Sequence, residues 1–194
     1  MLLFTTIAQA ANAEQTIEKS RFICHIARAD SREEAEAFIA KIRQEYKDAT
    51  HNVPCFVIGD KMQEAWSSED GEPSGTSGAP MLAMLKKQGL TNVVVVVTRY
   101  FGGVKLGPGG LVRAYTGTLK LALEKAGIFK VREEVTQSFK LPYSLFDKVK
   151  YLSETEGFEI LSSEFTDGVE LKIKYDKDIS QKIEELFKDL LKYS

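Results

Sequence analysis

Three cations and five glycines stand close together in the stretch TRYFGGVKLGPGGLVRAY, residues 98–115. The cations are Arg99, Lys105 and Arg113, and the glycines are Gly102, Gly103, Gly107, Gly109 and Gly110. Amides of a glycine-rich loop, together with guanidinium and ammonium groups, suit the oxygens of a phosphate. The stretch therefore predicts an anion site built from the three cations and from Gly102, Gly103, Gly109 and Gly110.

Two aromatic residues, Tyr100 and Phe101, directly follow the first of these cations, Arg99. Flat rings beside a cation can stack on the bases of single-stranded nucleic acid, which would extend phosphate binding to RNA recognition. The same rings and glycines could instead build only a tight corner of the fold. The residue pattern leaves both interpretations open.

A second glycine-rich segment, SSEDGEPSGTSGAP at residues 67–80, is acidic where the first is basic. Its carboxylates could hold Mg²⁺ through oxygen ligands, or they could lie in a solvated turn that caps the helix expected after Pro80. We expect this loop and a nearby strand start to face the cationic loop. The residues expected there are His51, Asn52, Glu69, Asp70, Glu72 and Ser74.

The charges are distributed unevenly along the 194 residues, whose formal net charge is −2. Residues 73–123 contain no Asp or Glu and six Lys or Arg, whereas residues 130–194 carry 11 basic and 14 acidic side chains. A cationic segment in a weakly acidic protein indicates a local anion site rather than a general polyanion binder.

Other classes of chemistry fit the sequence poorly. There is no G-x-S-x-G elbow and no H-E-x-x-H motif, and His25 and His51 are the only histidines. His25 lies in an expected strand, where a structural role is favoured. The glycine loop matches neither a Walker A motif nor a dinucleotide fingerprint with the required spacing. We therefore favour a non-catalytic protein and leave the enzyme question open.

The cysteines and the apolar stretches indicate in which cellular compartment the protein is expected. Cys24 and Cys55 are too few for a disulfide framework, so we expect reduced thiols buried in strands of a cytoplasmic protein. The start, MLLFTTIAQAANAE, lacks the basic region of a signal peptide. The valine run at residues 93–97 is too short to span a bilayer, and no membrane partner is expected.

Apolar periodicity predicts two domains, at residues 1–130 and 131–194. For the first, we expect strands at 20–29, 51–59, 64–68 and 92–98 and helices at 32–47, 80–88 and 109–126. The valine run predicts a central strand buried on both faces. The second reads as strand, helix, two strands joined at Asp167-Gly168 and a last helix, an order typical of a ferredoxin-like α+β module.

Several long motifs resemble those of the Impact/YigZ family. They are KSRFI at 19–23, HN at 51–52, SEDGEPSGTSGAPML at 68–82 and VVVVTRYFGGVKLGPGGLVRAY at 94–115. The resemblance covers about residues 15–127. The C-terminal region looks like the smaller domain of the family's two-domain bacterial members, which is similar to the last domain of elongation factor G.

The resemblance implies a two-domain α+β protein whose N-terminal domain has the left-handed β-α-β topology of the second domain of a small-subunit ribosomal protein. It also implies a role near translation, because eukaryotic members act as translational regulators that bind a ribosome-associated activator of a stress kinase. Those members carry a different N-terminal module, so their partner binding is not transferred to this chain.

Taken with the resemblance, the residues predict a cytoplasmic, non-catalytic protein that binds RNA or the ribosome through the cationic glycine loop, in a context of translation regulation. One alternative is an Mg²⁺-dependent enzyme acting on a phosphorylated small molecule, the only interpretation that needs a cofactor. A second alternative is a protein-docking module without a small ligand.

Overall fold

The computed structural model describes residues 1–192, which divide into two compact units. The larger unit is Phe4–Val131, and the smaller contains Met1–Leu3 and the chain from Arg132 onward. The sequence placed all of residues 1–130 together. Met1 groups with the smaller unit because its carbonyl accepts a hydrogen bond from the Glu133 amide (2.8 Å) and its amino group pairs with Asp178 (3.0 Å).

The larger unit is built on a five-stranded sheet in which all neighbouring strands are antiparallel, in the order β2-β3-β6-β4-β5. The strands are β2 Ala11–Ile17, β3 Ser20–Arg28, β4 His51–Ile58, β5 Glu64–Ser67 and β6 Val93–Tyr100. β3 and β4 both flank β6 and are connected by the helix α1, Arg32–Glu45. The result is a split β-α-β unit of the kind that the resemblance implied.

The valine run of β6 lies at the centre of this sheet and is fully buried, as predicted. Val93, Val95 and Val97 pack in a core with α2 (Gly78–Lys87) and α3 (Gly107–Ala126), while Val94 and Val96 pack with α1 on the opposite face. Side chains alternate along a strand, so an unbroken valine run supplies both cores. Each fully buried valine contributes roughly 1.5–3 kcal/mol of apolar burial.

A separate two-stranded sheet pairs β1, Leu2–Ile7, with β7, Ile128–Arg132. Neither strand was predicted, and neither was β2, whose sequence ANAEQTI contains only one large apolar residue. β2 is the edge of the five-stranded sheet and pairs only with β3. An edge strand with one partner needs little apolar surface, which is why its sequence carries a weak signal.

The smaller unit has the predicted β-α-β-β-α order. Its elements are β8 Glu134–Leu141, α4 Phe146–Glu156, β9 Phe158–Phe165, β10 Val169–Asp176 and α5 Ser180–Lys192. The three strands form an antiparallel sheet in the order β8-β10-β9. Leu171 and Ile173 of β10 pack with Ile183 and Phe187 of α5 in its core. The chain is thus a two-domain α+β protein.

Within residues 1–192, no helix is both long enough and apolar enough to cross a lipid bilayer.

Candidate functional site

The two glycine-rich loops line one cleft of about 430 Å³ in the larger unit. Its apolar lining comes from Pro73, Phe101, Leu106, Pro108 and Leu111. Its polar lining comes from Thr50, His51, Glu72, Arg99 and Lys105. The acidic loop, the start of β4, the end of β6 and the first turns of α3 therefore meet at this cleft.

Arg99 is a buried side chain of β6 and lies directly opposite His51 of β4 in the sheet register. Its Nη1 donates to Glu72 Oε1 at 2.7 Å, and its Cζ lies 5.4 Å from the ring centres of both Phe22 and Phe101. Nη2 reaches Ser20 Oγ at 3.4 Å, and the buried Nε has no hydrogen-bond partner among the described residues. The guanidinium is therefore held between two rings and a carboxylate instead of forming an open cationic surface.

Glu72 links this arginine to two further side chains. The Tyr115 hydroxyl of α3 donates to the same Oε1 at 2.7 Å, and burial, together with the Glu72 carboxylate, raises the pKa of Tyr115. The other oxygen, Oε2, lies 3.9 Å from His51 Nε2 and makes no hydrogen bond within the described part of the chain. One carboxylate oxygen is thus fully engaged and the other is left as an acceptor.

The orientation of His51 is fixed by the acidic loop, because its Nδ1 lies 2.8 Å from the backbone carbonyl oxygen of Asp70. A carbonyl oxygen can only accept, so Nδ1 carries a proton. In the neutral ring, Nε2 then has a free lone pair. His51 Nε2 and Glu72 Oε2 are two neighbouring atoms of the cleft lining that can accept hydrogen bonds.

Asp70 and Asn52 hold the acidic loop against β4 and do not line the cleft. The Asp70 carboxylate accepts hydrogen bonds from Arg43 Nη2 at 2.8 Å and from the backbone amide of Asn52 at 2.7 Å. Asn52 in turn accepts from Thr98 Oγ1 at 2.7 Å through its Oδ1. Asp70 and Asn52 therefore hold the lining residues in position without lining the cleft themselves.

Glu69 caps the N-terminus of α2, which begins at Gly78, two residues before the predicted start at Pro80. Its carboxylate accepts from the backbone amides of Gly75, Ser77, Gly78 and Ala79 at 2.9–3.2 Å and from the Ser77 hydroxyl. Burial by itself would raise the pKa of Glu69, but the Ser77 hydroxyl and these amides outweigh burial and hold it below the ordinary value of 4.5. Of the two interpretations of the acidic loop, these contacts of Glu69 support helix capping.

The acidic loop offers little to a metal ion in this arrangement. Glu69 and Asp70 are engaged by amides and by Arg43, and Ser74 is exposed outside the cleft lining. Across residues 1–192, no group of three or more His, Cys, Asp or Glu side chains is placed to hold a metal. The donor set therefore does not fit Mg²⁺ coordination by this loop.

The glycines of the cationic loop serve the backbone. A Cβ at Gly102 would lie 2.0 Å from the backbone of Lys19, and the Gly102 amide donates to Ser20 Oγ at 3.1 Å. Gly103 has a φ of +84°, which strains residues with a side chain. Gly109 and Gly110 lie inside α3, which begins at Gly107, two residues earlier than predicted.

Two of the predicted cations remain open to solvent. Lys105 lines the cleft and Arg113 lies on α3, and both are exposed, with no ion pair to any described residue. Phe101 is 47% exposed at the cleft. Tyr100 is only partly exposed, and its hydroxyl donates to Asp48 at 2.9 Å.

The residue patterns missed several parts of the site. Tyr115 lies within the helix predicted at 109–126 and was not among the expected site residues, although its hydroxyl contacts Glu72. Thr50, Leu106 and Pro108 carried no chemical signal.

His25, predicted to be structural, is buried in β3 with its Nδ1 3.2 Å from Asn12 Oδ1, and burial lowers its pKa.

Comparison with known proteins gives a consistent assignment for both units. A family model for the Impact N-terminal domain matches residues 18–123, and a model described as a domain of unknown function (DUF1949) matches residues 139–192. The IMPACT family member YvyE of Bacillus subtilis is 38% identical over 169 residues, which cover 87% of this chain and 78% of YvyE.

Two further matches extend over most of the chain. An IMPACT family member of Haemophilus influenzae is 41% identical over 179 residues, covering 90% of this chain and 84% of that relative. A crystal structure described as that of a hypothetical protein has 31% sequence identity and a TM-score of 0.64, covering 100% of this chain and 95% of that chain.

Proposed function

The chain belongs to the Impact family, and we propose that it is a non-catalytic binding protein that engages RNA or the ribosome through the cleft and two exposed cations, Lys105 and Arg113, which we call the cationic rim. One observation carries the proposal. Lys105 and Arg113 are exposed cations without carboxylate partners among the described residues, and they lie in a segment that contains no acidic residue. Phe101 provides an exposed ring in the same cleft as Lys105.

The arrangement supports phosphate contacts at the rim of the cleft and not at its floor. Arg99 is neutralised by Glu72 at 2.7 Å, so its charge is not available to a ligand phosphate. The apolar side chains of Phe101, Leu106 and Leu111, which also line the cleft, offer a buried phosphate no hydrogen bonds. Lys105 and Arg113 are the cations that can meet phosphates while those phosphates stay in water.

A binding role is also supported by how the acidic side chains are used. Glu69 and Asp70 hold a helix N-terminus and a loop in place, and Glu72 accepts from Arg99 and Tyr115. Glu69 and Asp70 are therefore poor general bases, whereas Glu72 keeps one oxygen, Oε2, without a hydrogen bond among the described residues. The magnesium-dependent alternative consequently has less support than the binding role.

The translation context of the proposal comes from the family. The family resemblance described above implies translational regulation for eukaryotic members, and the matched relatives cover most of this chain. The smaller unit carries an acidic excess, so in this proposal it contributes little electrostatic attraction to RNA.

The proposal is tested by measuring the binding of labelled transfer RNA and ribosomal RNA fragments over a salt series. The Lys105→Ala plus Arg113→Ala variant should bind more weakly, and the slope of log affinity against log salt should fall by about 1–2 because two phosphate contacts are lost. The Lys148→Ala plus Lys188→Ala variant, which changes two exposed lysines of the smaller unit, is the charge-matched control and should bind as the wild type does.

Two results would contradict the proposal: no RNA binding at low salt, or equal binding by the rim variant and the wild type. Recovery of one protein partner, insensitive to nuclease and lost in the rim variant, would instead favour the protein-docking alternative.

A further inference from the structure

Resting on the function proposed above, we propose that the cleft holds one unpaired guanine base of the bound RNA. The base stacks on Phe101, and its Watson–Crick edge donates hydrogen bonds to Glu72 Oε2 and His51 Nε2. The phosphate of the same nucleotide lies near Lys105 at the rim.

The walls of the cleft fit a flat aromatic ring better than a sugar or a phosphate. Phe101, Leu106, Pro108 and Leu111 line the cleft, whose volume of about 430 Å³ exceeds that of a single base. The Phe101 ring is backed by the Arg99 guanidinium, with Cζ 5.4 Å from the ring centre. That contact holds the ring in place, and the ring is 47% exposed, which leaves surface for a stacking base.

The floor selects for hydrogen-bond donors. Glu72 Oε1 is engaged by Arg99 and Tyr115, whereas Oε2 makes no hydrogen bond within the described residues. In its neutral form, His51 has an acceptor at Nε2, because Nδ1 donates to the Asp70 carbonyl. These two acceptors lie 3.9 Å apart, so a ligand that fills both must bring two neighbouring donors.

Guanine is the RNA base that meets this requirement. Its Watson–Crick edge carries two adjacent donors, the N1–H and the 2-amino group. Adenine and cytosine offer one amino group beside a ring nitrogen that is itself an acceptor, and uracil offers one N–H between two carbonyls. For each of these three bases, at least one acceptor would face another acceptor, which is repulsive in a site of low polarity.

The test uses labelled uridine oligomers with a single central guanosine, inosine, adenosine or cytidine, and the intact 194-residue chain. Inosine differs from guanosine only by the missing 2-amino group. The guanosine oligomer should bind about tenfold more tightly than the inosine oligomer, in line with the discrimination of a paired base contact. Phe101→Ala should weaken binding of the guanosine oligomer about tenfold through lost stacking.

A matched control is Tyr151→Ala, which removes an exposed ring in the smaller unit and should leave binding unchanged. The His51→Phe variant should reduce the preference for guanosine over adenosine. The oligomer series with the wild type decides the question even where a variant fails to fold.

The outcomes separate this inference from the proposed function. Equal affinity for the guanosine and inosine oligomers, with salt-dependent binding that still needs Lys105 and Arg113, would overturn the guanine site and leave the RNA-binding proposal in place. Binding of guanosine monophosphate but not inosine monophosphate, without binding of any oligomer, would support the guanine site and contradict the RNA assignment.

Discussion

The larger and the smaller unit each contain an ion pair with an N–O distance of 2.7 Å, but the two pairs have opposite environments. The side chains of Arg99 and Glu72 in the larger unit are 6% and 3% exposed. Those of Lys140 and Asp167 in the smaller unit are 53% and 78% exposed. The N–O distance therefore does not distinguish the two pairs, whereas burial does.

Burial changes what the loss of one partner does to the fold. Water replaces a missing partner at an exposed site, whereas a buried charge without its partner keeps its full desolvation penalty. The larger unit thus places the Arg99–Glu72 pair in the lining of the cleft, where its burial makes it important for stability. The smaller unit keeps Lys140 and Asp167 in solvent, where they can change with little consequence.

The largest effect is expected for Glu72→Gln, which keeps the shape of the side chain and removes its charge. The free energy of unfolding of the larger unit should fall by about 3–5 kcal/mol, because the buried Arg99 charge is left uncompensated. Urea unfolding followed by circular dichroism measures the change. In the Glu72→Gln plus Arg99→Met variant the loss should be smaller than in the single variant, since no charge remains buried. A single variant as stable as the wild type would place this pair in the same class as Lys140–Asp167.

An intermediate effect is expected for Glu69→Gln, since Glu69 is half-buried and caps α2. The loss should be about 1–2 kcal/mol at neutral pH, as for other helix caps. Because the folded pKa of Glu69 lies below 4.5, its charge stabilises the fold above that value and the benefit is lost as the pH falls through the folded pKa. The gap in stability between the wild type and Glu69→Gln should therefore narrow as the pH falls below 4.5 and close once the pH has passed the folded pKa.

The control for this pH dependence is Glu124→Gln, which changes an exposed carboxylate on α3 and should track the wild type over the same range. A gap between the wild type and Glu69→Gln that stays constant as the pH falls would show that the carboxylate charge is not what stabilises α2.

The smallest effect is expected for Lys140→Ala. The hydrogen bond between the two side chains lowers the pKa of Asp167 and raises the pKa of Lys140. Both groups are nevertheless in water, where their attraction is screened and offset by the loss of side-chain entropy. Thermal unfolding should be indistinguishable from that of the wild type at moderate salt. A clear loss of stability would show that the exposed pair Lys140–Asp167 stabilises the fold, which would contradict the contrast drawn with Arg99–Glu72.

Much of the fold could be predicted because it rests on local patterns. The valine run of β6 and the alternating strands of the smaller unit show their burial in the order of their residues. β1 and β2 were missed, since β2 is an edge strand of small and polar residues that is held by its pairing with β3. Such pairing has no local signal.

The site was predictable only in outline. The two loops were expected to face one another, and both do line the cleft. The roles of single residues depend on contacts distant in sequence, such as Glu72 with Arg99, 27 residues apart, and Glu72 with Tyr115, 43 residues apart. Residue type alone cannot distinguish an arginine that binds a ligand from one that pairs with a buried carboxylate.

The placement of the cysteines gives the larger unit a readout of its own. Cys24 and Cys55 are buried in β3 and β4, burial raises the pKa of both thiols, and the chain contains no other cysteine. A thiol reagent can therefore modify this chain only when the five-stranded sheet opens. The rate of modification does not depend on opening of the smaller unit. The rate of labelling isolates the stability of the cleft-bearing unit within the intact chain, with no need to cut the two units apart.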